Sequence, residues 1–164
     1  MKHLAIAALI ALPNMAMAEG VQIEGTVQAK CVIRTDRNGV YGNPIASKLS
    51  TMPADGGVTP IIRYDVALAG YYIARITHPT SFSTSPALPD TLAWTGGASV
   101  SSVSNPQMSA YDAAKVEYDA TTEFDLNVSG TTWLKVDSAA EYGYDKAFPA
   151  GTYRSVIQAD CIAK

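Results

Sequence analysis

The chain has 164 residues, 48% of them hydrophobic, and its 15 acidic and 12 basic side chains give a formal net charge of −3. With no basic cluster, that balance argues against nucleic acid or an anionic lipid surface as partner. The length suits one domain with a core of its own.

The opening, MKHLAIAALIALPNMAMA, sets Lys2 before an apolar run from Leu4 to Leu12 and ends on Ala16-Met17-Ala18. The run covers about nine residues, where a bilayer-spanning helix needs roughly 20. Together these features predict a secretory signal peptide over 1–18, with Glu19 as the first mature residue. No later segment is apolar enough for membrane insertion.

Beyond this leader the apolar residues alternate in short runs bounded by Gly, Pro, Asn and Ser, the pattern of half-buried strands. In VQIEGTVQAKCVI, Val21, Ile23, Val27, Ala29, Cys31 and Ile33 share one face. TDRNGVYGNP (35–44) carries turn signals at Asn38-Gly39 and Asn43-Pro44, and MPADGGVTP (52–60) reads as another loop. Ile62, Tyr64, Val66 and Leu68 alternate up to Gly70, where a bulge or bend is expected. Past it, Tyr71, Ile73, Arg75 and Thr77 oppose Tyr72, Ala74 and Ile76. TLAWTGGASVSSVS (91–104) reads as two strands around a Gly-Gly turn, and a helical turn is possible over Pro106–Lys115. KVEYDA (115–120) and EFDLNVSG (123–130) read as neighbouring strands, each with one buried face. TTWLKVDSAA (131–140) follows, then the loop EYGYDKAFPAG (141–151) and a last strand over Tyr153–Ala163. Seven to nine short strands without a helical period predict an all-β, immunoglobulin-like antiparallel sandwich. Tyr153 falls where a tyrosine corner would brace such a strand.

The residues point to no enzyme, cofactor or metal site. His78 is the one histidine after the leader, and it reads as a surface residue at a strand end. Neither a nucleophile elbow nor a glycine-rich phosphate loop occurs. Asp112, Glu117, Asp119, Glu123 and Asp125 read as the solvent face of two strands rather than a catalytic pair or a calcium site. The sequon at Asn127 is read as chance, and Trp133 is the best candidate for an exposed aromatic contact. Cys31 and Cys161, an even pair in an exported chain, read as one structural disulfide tying the first strand to the last. A bridge between subunits is the alternative.

Pro149-Ala150-Gly151-Thr152-Tyr153 with its final alternating strand resembles the C-terminus of chaperone–usher fimbrial subunits. Gly25-Thr26-Val27 running to Cys31 resembles their N-terminal segment, and Trp94-Thr95-Gly96-Gly97 strengthens a likeness to the class 5, or alpha, colonisation-factor fimbriae. The chain departs from that group in carrying cysteines. The resemblance implies a pilin body over 31–164, an immunoglobulin-like sandwich lacking one strand, and a donor strand over 19–30. Val21, Ile23, Gly25, Val27 and Ala29 would face the groove of another copy, Gly25 where the groove is shallow. The acceptor strand would present Tyr153, Ser155, Ile157 and Ala159. Implied partners are copies of the chain in a filament, with a periplasmic chaperone and an outer-membrane usher during assembly; the filament would sit on the cell surface and support adhesion or biofilm. The other reading is a self-complete secreted sandwich that binds carbohydrate or a surface protein.

Overall fold

The computed structural model describes residues 22–25, 31–70, 72–143 and 145–164. The leader expected over 1–18 and Val21, Val27, Ala29 and Tyr71 lie outside the described residues. In chain order the strands are β1 (Cys31–Arg37), β2 (Gly42–Ile45), β3 (Lys48–Ser50), β4 (Ile61–Val66) and β5 (Tyr72–Thr77), then β6 (Ala93–Val103), β7 (Val116–Tyr118), β8 (Thr121–Leu126), β9 (Gly130–Glu141) and β10 (Gln158–Ala163). They form two antiparallel sheets packed as a β-sandwich. One runs β1-β4-β9-β3-β2, with β6 along the other side of β9; the second runs β10-β5-β8-β7.

The period-2 pattern explains the core. Ile62, Tyr64 and Val66 of β4 and Leu134 and Val136 of β9 point inward, and meet Tyr72, Ala74 and Ile76 of β5 and Phe124 and Leu126 of β8. Tyr64, Phe124, Leu134 and Val136 are fully buried, and each large apolar side chain so placed stabilises the fold by roughly 1.5–3 kcal/mol. The Tyr64 hydroxyl reaches across the sandwich, donating to the Arg75 and Asp160 carbonyls at 3.3 Å each. Burial, with the charge of Asp160 nearby, raises the Tyr64 phenol far above its ordinary pKa, so it stays a donor. The helical turn forms as a 3-10 turn over Pro106–Ala110 followed by α1 (Tyr111–Ala114). Asn105 caps it by accepting from the Gln107 N–H, and Met108 and Tyr111 are buried beneath it.

Four expectations are corrected, and one is met in a particular form. The turn-rich stretch after Asn38 includes the hairpin β2–β3. The change of direction expected at Gly70 takes the form of a bend: with φ at +79° it lies in the turn that carries the chain from β4 in one sheet to β5 in the other. Gly96-Gly97 is not a turn but the middle of β6, because a Cβ at Gly96 would stand 2.6 Å from the Asp137 carbonyl oxygen and 2.8 Å from His78 Cγ. His78, expected at the surface, is only 8% exposed and fills the space that Gly96 leaves. β7 lies at the rim of its sheet and buries neither face, leaving Val116 57% exposed.

A candidate strand-acceptor slot at the sheet edges

Cys31 opens β1, an edge of the first sheet, and Cys161 lies in β10, an edge of the second. A disulfide within the chain joins them, with 6.3 Å between Cα atoms. From there the two edges run in opposite chain directions, β1 forward to Arg37 and the C-terminal segment backward to Gly151, and they part. Between the walls Thr35–Tyr41 and Gly151–Ile157 lies an open cavity of 680 Å³, floored by Leu49, Ile62 and Ser138.

Both walls are incomplete. Cys31, Ile33 and Thr35 stand opposite Val66, Tyr64 and Ile62 on the inward face. Thr35 is nevertheless exposed, so among the described residues this end of the wall carries no cover, although Ile62 beneath it is buried. On the other wall, half-buried Tyr153, Ser155 and Ile157 alternate with exposed Arg154 and Val156. Regular pairing begins only at Gln158, later than the Tyr153 start expected from the pattern. The Arg154 N–H donates to the Thr84 carbonyl at 2.9 Å, and its carbonyl accepts from Ser83 N–H at 2.8 Å. In extended backbone, successive residues turn their N–H and C=O to opposite edges, so Tyr153 and Ser155 turn theirs to the slot. Among the described residues, the backbone groups of Tyr153, Ser155 and Ile157 have no backbone partner. Such free rungs are what an added strand pairs with.

Aromatic packing holds this wall in place. The Phe82 ring meets Trp94 at 4.8 Å and Tyr153 at 5.1 Å between centroids, and Phe148 meets Tyr153 at 5.3 Å. The Tyr153 hydroxyl donates to the Pro149 carbonyl at 2.7 Å, the backward hydrogen bond of a tyrosine corner. Burial, with Tyr142 nearby, raises the Tyr153 phenol above its ordinary pKa and keeps that proton on. Across the slot the Tyr41 hydroxyl meets Ser155 Oγ at 2.6 Å.

The slot therefore brings together three of the four expected acceptor residues, Tyr153, Ser155 and Ile157. Ala159 lies beyond the cavity, packed against the core near the disulfide. Of the expected donor residues, Ile23 is 95% exposed and a Cβ on Gly25 would meet nothing within 4 Å. The opposite wall was missed: Thr35 and Tyr41 lie in a stretch whose turn signals mask any alternation.

Four of the five acidic candidates are engaged in the fold. Glu123 accepts from Arg75 Nε at 2.7 Å and from the Tyr118 hydroxyl at 2.8 Å, which holds its carboxyl below the usual range. Asp112 accepts from the Val100 N–H, Glu117 pairs with Lys115 and Asp125 with Lys164. Among the described residues no three His, Cys, Asp or Glu side chains gather as metal ligands. Trp133 lies half-buried beside Arg63, whose guanidinium sits 5.6 Å from its ring centroid. No protein-family model, curated protein or solved structure matches this chain.

Proposed function

We propose that this chain is a structural subunit of a bacterial surface fimbria. It is an incomplete immunoglobulin-like sandwich whose slot receives the 19–30 segment of the next copy. Export through the 1–18 leader brings it to the periplasm, where a chaperone and then an outer-membrane usher handle it until donor-strand exchange. The observation that carries the reading is the row of free rungs at Tyr153, Ser155 and Ile157 beside an open cavity of 680 Å³. The exposure of Ile23 supports it, since burying one such side chain is worth roughly 1.5–3 kcal/mol. Once seated, a strand makes hydrogen bonds and apolar contacts that must all be lost together for it to leave. The joint is then mechanically strong without an enzyme or cofactor.

The test is electron microscopy of surface or secreted material, with the same sample run heated and unheated on a denaturing gel. Filaments, and an unheated ladder that collapses to monomer on heating, are the expected result. A compact monomer throughout refutes the reading and leaves a self-complete secreted sandwich.

A further inference from the structure

The disulfide makes the slot one-ended, and this limits what can enter it. Cys31 and Cys161 hold the two edges 6.3 Å apart between Cα atoms, whereas a strand between two neighbours needs two spacings of about 4.8 Å. No strand passes between the edges there. The cavity lining stops at Thr35 on one wall and Ile157 on the other, one inward position short of Ile33 and Ala159, which pack on the core. What remains, Thr35–Tyr41 facing Gly151–Ile157, is about seven residues long, or roughly 23 Å of strand, and it is crossed at one level by the Tyr41–Ser155 hydrogen bond, which an entering strand must displace. The whole 19–30 segment extends over about 40 Å. Only part of it fits.

One end of the inserted stretch must therefore finish at the disulfide. Its C-terminal end continues through Lys30 into the body of its own copy and cannot finish there. Its N-terminal end, freed at Glu19 by leader removal, can. Resting on the fimbrial reading above, we infer that Glu19–Gly25 of a second copy fills the slot, its N-terminus against the disulfide and its tether leaving past Tyr41 and Tyr153. This sets the strand antiparallel to the Gly151–Ile157 wall, the slightly more stable direction of pairing. Val21 and Ile23 are then the two anchoring side chains, over a floor that includes Leu49 and Ile62. Thr26–Lys30 becomes the tether, and Val27 and Ala29 stay outside the slot. The chain's own segment does not suit the slot. It would have to reverse just before Cys31, and Thr26-Val27-Gln28-Ala29-Lys30 has none of the Gly, Asn, Asp or Pro residues of a tight reversal.

The experiment places aspartate one position at a time in the full mature chain, as Val21→Asp, Ile23→Asp, Val27→Asp and Ala29→Asp. Each sample is read for heat-sensitive multimers and for the melting of its monomer, which should not move because these positions precede the body. Val21→Asp and Ile23→Asp are expected to lower multimer yield more than tenfold, with Val27→Asp and Ala29→Asp within twofold of wild type. If Val27→Asp or Ala29→Asp is as damaging as Ile23→Asp, the inserted stretch is longer than the disulfide allows and the inference fails, while the fimbrial reading stands. If all four variants assemble like wild type, or wild type forms no multimers, the fimbrial reading fails with it.

Discussion

Replacing both cysteines, Cys31→Ala with Cys161→Ala, removes the one covalent tie between the two sheets among the described residues. The bridge closes a loop with a sequence separation of 130. Chain-entropy arguments give a loop that long about 16–17 cal/mol/K of denatured-state entropy, or ~5 kcal/mol at 25 °C. Domains of this kind are commonly stable by only about 5–15 kcal/mol, so the variant falls near the lower edge of foldability. The native sheets should survive, because β1 keeps its pairing with β4 and β10 its pairing with β5. Urea titration followed by tryptophan fluorescence, with far-ultraviolet circular dichroism as a check on strand content, measures the loss. The slope of unfolding free energy against urea should rise in the variant, since its denatured chain is no longer cross-linked and exposes more surface. A loss below about 1.5 kcal/mol with an unchanged slope would refute the argument, and would mean that the denatured chain is already held together without the bridge.

Two further outcomes follow from packing and charge. Gly96→Ala forces a Cβ onto the Asp137 carbonyl oxygen and His78; overpacking of this sort costs about 1–3 kcal/mol, and each kcal/mol lowers the midpoint by roughly 2–4 °C in a domain of this size. A thermal melt matching wild type would show that β6 and His78 shift freely. Glu123 has its folded-state pKa held below the ordinary 4.5 by Arg75 and Tyr118, so its stabilising contribution is present above the unfolded value and is lost as pH falls through the folded one. Wild type should therefore lose more stability than Glu123→Gln on acidification from pH 6 to about pH 3, and parallel curves for the two would remove the ion pair from the account.

Much of the body was legible because strand alternation is a local property. Ile62-Tyr64-Val66, Tyr72-Ala74-Ile76, Phe124-Leu126 and Leu134-Val136 each declare a buried face without reference to anything distant, and an even pair of cysteines suggests a bridge, which the structure forms. The failures share one cause. Nothing near Gly96 in the chain announces that His78 will lie against it, and nothing in Val116-Glu117-Tyr118 tells that its apolar side has no sheet to face. The slot was half legible: Tyr153, Ser155 and Ile157 alternate visibly, whereas the wall through Thr35 and Tyr41 is hidden under turn residues.

By itself, then, the sequence determined which residues of each strand are apolar on one side, some of the places where the chain turns, and that two cysteines were available to pair. Only the tertiary structure decided that β4 and β5 belong to different sheets, that β1 and β10 end as edges joined at one point, and that the space between them stays open. A side chain's periodicity depends on its neighbours along the chain, but an edge is defined by the strand that is not beside it, and that depends on the packing of the whole body.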